Sequence, residues 1–449
     1  MKRRVFGFLS ACILTMIPIA SAQNFSGDAR KIAMGGAGYD DNIATKMIAE
    51  QRPYFPIVLP FGLIQILRDL DRFDPDDDKF DPVLALEYAA NPIHYVIGRE
   101  AGAARGAFVE DIVNGELSRD FNTYRGFVPA NELIAEGLAA PNWGPTIKFV
   151  KRPSGTFHGV YVGVGPYISA STVLEIDKGL TGLLASPAPV YTPDQSYLIT
   201  DGSSGQLALA ITGGYRGRIA LPNRTSASGR DGIYIGANYH YLRGFRYGSA
   251  DTLFRFDTDS AGLISVMPAT TPALVDYLYA RSGSGFALDF GVGAVVDHWE
   301  LGFGVNGIGN RIDWRKLERK QFTLESLVEG GDYLEEVVPV GFTELRVELP
   351  VRYTGSGAYH RGAWSVMTEV SRGFQGNSFH GGVERRFGAI ELRGGGRYSR
   401  DQWHPSGGLG FNLSERFSID VAAFTTSTNI ERMRNPAIAA SLRFNPTTK

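Results

Sequence analysis

The sequence predicts an all-β fold: a transmembrane antiparallel β-barrel of about 14 strands, within a range of about 12 to 16, with an N-terminal plug segment. Three observations predict it: an export leader, strand-length stretches that alternate apolar with polar residues, and connections that alternate short with long.

The leader comes first. Lys2, Arg3 and Arg4 form a positive start, Val5 to Ile19 is mostly apolar, and Ala20-Ser21-Ala22 is a small-x-small cleavage site. Residues 1–22 therefore read as a signal peptide and Gln23 as the mature N-terminus. Leu9-Ser10-Ala11-Cys12 also has the look of a lipoprotein box that would leave Cys12 lipidated. The apolar run before it is at the short limit, about seven residues, and apolar sequence continues past it. Cleavage after Ala22 removes the single cysteine, which excludes disulfides, thiolate metal sites and cysteine catalysis.

No later segment approaches the ~18–20 uninterrupted apolar residues of a membrane helix. The longest candidate, Phe55 to Leu67, contains Pro56, Pro60, Gly62 and Gln65. Without such a helix, a membrane protein must cross as a closed barrel. The 55 glycines, 27 phenylalanines and 20 tyrosines suit strands with one apolar and one polar face, as does a mean hydropathy of −0.10. A net charge of −2 lacks the basic excess of a nucleic-acid partner.

Residues 23–91 read as the plug and 92–449 as the barrel. The first strand is expected at Pro92 to Arg99, because the strand at 143–151 must be preceded by one of opposite direction. Further strands are expected near 157–170, 206–221, 230–247, 284–297, 298–308, 342–354, 361–372, 378–387, 389–400, 404–413, 415–425 and 435–445. Turns such as Arg152-Pro153-Ser154-Gly155 and Ser414-Glu415 are short, whereas 171–205, 248–283 and 309–341 are long. Outer-membrane barrels show this asymmetry of periplasmic turns and extracellular loops. Within the long connections, Thr271-Pro272 followed by Ala273 to Arg281 reads as an N-capped helix, and Thr323 to Val328 as another.

Alternation assigns faces. Phe286, Leu288, Phe290 and Val292 share one face, as do Trp299, Leu301, Phe303 and Val305, and Leu345, Val347, Leu349, Val351 and Tyr353. The opposite faces carry Arg346, Glu348, Arg352, Glu369, Glu384, Arg386, Glu391 and Arg393, the expected lumen lining, where opposite charges can pair across strands. The last strand, with Ile438, Ala440, Leu442 and Phe444 on one face, resembles the C-terminal signal read by the barrel assembly machinery, although Asn445 to Lys449 follow it.

The mature chain opens with Ala29-Arg30-Lys31-Ile32-Ala33-Met34-Gly35-Gly36-Ala37. This Ala-Arg-x-x-x-Met-Gly-Gly-Ala opening after a signal peptide resembles the FadL-like superfamily of outer-membrane barrels. That superfamily includes long-chain fatty acid and hydrocarbon transporters with TraF-like and PorV-like relatives. The resemblance implies a 14-stranded barrel in the outer membrane, plugged by a hatch built on Ala29, Arg30, Met34, Gly35, Gly36 and Ala37, with a lateral opening for a hydrophobic ligand. It implies passive uptake of hydrophobic small molecules, or alternatively a non-transporting structural or assembly barrel of TraF-like or PorV-like type. Outer-membrane lipid and lipopolysaccharide are the surrounding partners expected.

Two other chemistries have partial residue patterns in the chain. Asp74, Asp76 and Asp78 have the one-three-five spacing of a Ca²⁺ loop, but Lys79 replaces the glycine and Ala85 the bidentate glutamate. A solvated acidic loop fits better, and no metal or cofactor is expected. His404-Pro405-Ser406 could serve a lipid-modifying esterase, but Pro405 suggests a turn. The remaining histidines lack metal-ligand spacing such as HExxH.

Overall fold

The computed structural model describes residues 28–37, 42–49, 55–68, 93–97, 132–152, 154–180, 192–221, 229–262, 273–324, 333–373, 376–399, 402–426 and 435–444. The signal peptide, Cys12, the Asp74, Asp76 and Asp78 group, the Thr271-Pro272 cap and residues 325–328 lie outside the described residues.

Among the described residues, the short helices α1 (Ala29–Ala33), α2 (Ile43–Ala49) and α3 (Phe61–Arg68) accompany one large antiparallel sheet. Its strands are β1 (Phe55–Leu59), β2 (Tyr95–Val96), β3 (Glu132–Ala139), β4 (Thr146–Lys151), β5 (Phe157–Ile176), β6 (Ser196–Ala220), β7 (Gly232–Asp257), β8 (Ala273–Val296) and β9 (Trp299–Leu324). They continue with β10 (Tyr333–Val338), β11 (Glu344–Glu348), β12 (Arg352–Arg361), β13 (Trp364–Gly373), β14 (Gly376–Phe387), β15 (Ile390–Ser399), β16 (Gln402–Asn412), β17 (Phe417–Thr426) and β18 (Asn435–Phe444).

Several segments share one strand position. β1 and β2 pair in turn with the two ends of β18, and β4 and β3 with the two ends of β5. β10, β11 and β12 pair successively along β9, broken where Pro339 and Pro350 remove ladder donors. With β5 to β9 and β13 to β18 as single strands, the wall has fourteen positions among the described residues. The sheet begins at Phe55, upstream of the boundary expected at residue 92, and the first position is interrupted between Leu59 and Tyr95.

Two heights of wall follow. β12 to β18 have 10–12 residues, close to the ~9–11 of a tilted membrane crossing. β6, β7 and β9 have 25, 26 and 26, so they stand far above the bilayer. The stretches expected as long loops at 171–205, 248–283 and 309–341 thus carry strand toward both ends among the described residues, and the helix expected over Ala273 to Arg281 is corrected. Ala273 to Arg281 lies in β8, with Ala273 to Ala280 paired to both β7 and β9, and of the second expected helix only Thr323 and Leu324 are described, at the end of β9. Backbone partners on both sides overrode local helical signals there.

Around the lower wall, the outward side chains form an apolar belt: Val162, Ile211, Tyr239, Phe290, Phe303, Val366, Leu392, Leu409 and Val421 are all 37–52% exposed. Such a belt matches the lipid-facing band of a membrane barrel. Arginines stacked on aromatic rings sit at both of its edges. At the tight-turn end the Arg385 guanidinium lies 4.7 Å from the Trp364 ring centroid and 4.5 Å from that of Phe387. At the tall end Arg311 lies 4.7 Å from that of Phe286.

Above the belt the polarity inverts. On β9, Glu300, Gly302 and Gly304 point inward and Trp299, Leu301 and Phe303 outward, but beyond the irregularity at Gly307 and Gly309 (φ 77° and 62°), Ile312 and Trp314 are buried inside. Arg311, Asp313 and Arg315 now face out. The partner strand changes face at Pro350. Leu345 and Val347 of β11 pack on the inner cluster, whereas Tyr353 of β12 is 48% exposed toward the outside. The upper wall therefore rolls around its own core of Tyr167, Leu242, Tyr247, Ile312 and Trp314, touched from one edge by Leu138 and from the other by Leu345. Cross-roll bonds support it: the Asn310 amide donates to the Tyr167 hydroxyl, and Trp314 Nε1 to Gln206 Oε1 at 3.3 Å.

Candidate functional site

The Ala-Arg-x-x-x-Met-Gly-Gly-Ala segment lies inside the lower wall. Asp28 caps α1, accepting from Arg30 N at 3.0 Å, and Ala29, Ile32 and Ala33 pack on Ala422 and Ala439. The chain then passes along β14, β15 and β16 so closely that only glycine fits. A Cβ at Gly382 would meet the Met34 backbone at 2.5 Å, and one at Gly395 would meet it at 2.4 Å. Gly35 has φ +75°, and a Cβ there would lie 2.3 Å from Gly396 O. The motif's glycines and the wall's glycines are thus one fitted surface. Met34 and Ala37 are buried within it, and Gly36 (φ +79°) rests on His380.

Polar contacts lock this segment. Ser406 Oγ accepts from Gly35 N at 3.0 Å and donates to Ala33 O at 3.2 Å. His380 Nδ1 bonds Gly35 O at 2.7 Å, and Ala29 N donates to Ser441 Oγ at 3.1 Å. Arg30 grips Glu384 with two bonds of 2.9 and 3.0 Å.

Glu384 belongs to a buried ion network. The fully buried Arg393 donates to Glu384 at 2.7 Å, to Asp420 at 2.7 Å and to Glu391. Arg443 reaches Glu391 at 2.7 Å and Asp420 at 3.3 Å. Three guanidiniums face three carboxylates, so the buried charges balance. Arg386, at the open tight-turn rim, adds a 3.2 Å contact to Glu391.

Of the residues expected to line the lumen, Glu384, Glu391 and Arg393 meet in this network, with Arg386 at its mouth. Arg352 and Glu369 form a separate inward pair at 3.8 Å. Arg346 and Glu348 do not line it: they face outward on β11, and Arg346 bonds Asp313 at 2.7 Å. The one-residue change of face at Pro350 is the reason. Asp420, Arg443 and Ser406 were missed as partners, because which strands adjoin across the lumen side is a matter of register.

The second helix meets a different wall. α2 packs Ile43, Ala44, Met47 and Ile48 against Tyr234 and Val295, over a smooth floor at Gly236, Gly291, Gly293, Gly302 and Gly304. The α2 carbonyl of Ile48 accepts from Arg230 at 3.1 Å, and Arg230 pairs with Glu300 at 2.7 Å. The plug is therefore pinned to strand positions about half the barrel apart, β14–β18 by α1 and β7–β9 by α2.

Between plug and upper core runs a transverse polar chain. Tyr161 donates to Asn142 at 2.8 Å, Asn142 to Thr212, Thr212 meets His240 at 2.7 Å, and His240 meets Asp289 at 2.7 Å. Asp289 accepts from Gly307 N at 2.9 Å.

His404 and Ser406 lie within β16 rather than in a turn, Pro405 being accommodated in the strand opposite Gly396. The Ser406 hydroxyl is committed to the plug, which corrects its reading as a candidate nucleophile. A last element lies beside the interrupted first position. Gln65 of α3 pairs with the β2 backbone, donating to Val96 O at 2.9 Å and accepting from Val96 N at 3.0 Å. Leu63, Ile64 and Leu67 of α3 are 45%, 62% and 68% exposed.

No family model and no curated protein matches the chain. Among solved structures it is similar to a mutant of TodX described as a monoaromatic hydrocarbon channel, at 12% identity and a TM-score of 0.35, covering 70% of this chain and 89% of that one. It is similar also to the Ralstonia pickettii toluene transporter TbuX, at 11% and 0.33, covering 74% and 93%. The outer membrane phospholipase A of Escherichia coli matches at 10% and 0.23, covering 58% and 99%. At such TM-scores these likenesses carry no argument, and the functional reading rests on the residues of this chain.

Proposed function

We propose that this barrel sits in the outer membrane and admits small hydrophobic molecules by passive diffusion. The observation that carries the reading is the inverted upper wall, charged outside and apolar inside, around Trp314, Leu242, Ile312, Tyr167 and Tyr247. An apolar interior held above the bilayer offers a hydrophobic solute a partition site out of water. The polar chain and the buried ion network beneath it favour a lateral exit over straight passage, since desolvated charge repels an apolar solute. The interrupted first strand position, edged by the exposed apolar side of α3, is the exit we assign.

Uptake of labelled long-chain fatty acids and aromatic hydrocarbons tests this in a deletion strain complemented with wild type or Trp314→Asp. Wild type restores uptake and the variant does not; equal uptake with and without the gene overturns the reading. The alternative is a structural or assembly barrel without cargo, favoured by the plug pinned on two walls. It predicts co-purification with a protein partner and unchanged uptake.

A further inference from the structure

We infer that Arg243, Arg246 and Arg311 form a binding site for the phosphate groups of membrane lipid at the tall end of the barrel. The inference rests on the membrane reading of the apolar belt. All three side chains leave the outer face of the wall just above that belt. On β7, Tyr239 and Tyr241 are 50% and 40% exposed, Arg243 follows on the same face, and an irregularity opposite Leu207 and Ala208 turns both Phe245 and Arg246 outward. Phe245 is 51% exposed.

Tyr241 pairs with Phe286 of β8, and Phe286 with Arg311 of β9. The guanidinium of Arg311 rests on the Phe286 ring, which also stacks on Tyr239 at 6.2 Å. Aromatic side chains concentrate where lipid tails give way to headgroups, so this stack sets the level of the three arginines. Arg385 on Trp364 and Phe387 marks the corresponding level at the other edge.

Positive charge is in excess at this level of the outer face. Arg243 and Arg246 have no ion pair among the described residues, and Arg311 has only its ring contact. The cross-strand neighbours of Arg243 and Arg246 are Leu207 and Leu209 on β6 and Ser284 on β8, none of them acidic, while Arg311 lies between Phe286 on β8 and Glu348 on β11. Asp313, the nearest outward carboxylate on β9, is held by Arg346. Higher on the same wall several cations are paired: Arg315 with Glu344, Arg319 with Asp276, and Lys320 with Glu335. β7 and β9 lie two inter-strand spacings apart, about 10 Å. That spacing lets the arginines engage two phosphates of one headgroup or of neighbouring lipids, with guanidinium forks matched to phosphate oxygens.

The test uses the full mature chain folded in detergent, with lipopolysaccharide and its enzymatically dephosphorylated form as probes. Wild type, Arg385→Ser and the triple variant R243S/R246S/R311S are compared after heat-dependent gel mobility shows each to be folded. Loss of roughly ten- to a hundredfold in affinity for lipopolysaccharide in the triple variant alone is expected, with wild type discriminating against the dephosphorylated form to a similar extent. Equal binding by wild type and triple variant, or equal competition by inorganic phosphate at the same phosphate concentration, overturns the lipid site. A chain that fractionates as a soluble protein overturns the membrane reading as well, and membrane flotation reads that separately.

Discussion

Single residues decide how tightly the N-terminal segment seats. Gly382 and Gly395 leave room for the Met34 backbone that a side chain would fill. Gly395→Val is expected to cost about 1–3 kcal/mol in overpacking and to expel α1. Limited proteolysis of the intact barrel checks this, with cleavage before residue 50 appearing in the variant while the heat-dependent gel shift persists. Arg393 presents the opposite case, a buried cation among three carboxylates. Arg393→Met leaves one of the three buried carboxylates in excess over Arg30 and Arg443, at a cost of about 3–5 kcal/mol. A lowered urea midpoint of the folded band is the expected result, and an unchanged midpoint would show that water reaches the network.

Elements show how chemistry and height are matched. The strands of the upper wall carry a titrating group: burial, with help from the neighbouring Asp251, pushes the Asp201 carboxyl of β6 up to about 6, although Ser203 donates to it at 2.9 Å. A raised carboxyl favours the folded state in its protonated form. Its stabilising share is therefore complete below the ordinary aspartate range and is lost as pH rises through about 6. Protease resistance of the upper wall is expected to increase between about pH 8 and pH 5, and Asp201→Asn to flatten that dependence. The same scale explains why the long connections were misread. Residues 273–281 carry enough Leu, Tyr and Ala for either periodicity, and only pairing with β7 and β9 settled it.

At the scale of the molecule, the plug spans the barrel between two walls that are far apart in the chain. Deleting residues 28–49 removes both anchors and exposes the glycine floors without touching a strand. Ion conductance in planar bilayers is expected to rise severalfold while the protein still folds; unchanged conductance would show that the upper core closes the barrel unaided. Sedimentation with the outer membrane after this deletion would show the wall to be independent of its plug.

The amino-acid sequence by itself determined the strand chemistry and a strand number near fourteen. Alternation, glycine and proline act locally, within a strand or a turn, so they are legible without partners. It placed Glu384, Glu391 and Arg393 on the polar face for the same reason. Only the tertiary structure decided which face of each strand is inside. Leu345 to Tyr353 alternates without a break in sequence, yet its apolar residues enter the upper core before Pro350 and face outward after it. A one-residue offset exchanges the faces of a strand, and no local pattern records it. The network of Arg30, Arg393 and Arg443 likewise exists only once register brings β14, β15, β17 and β18 beside α1.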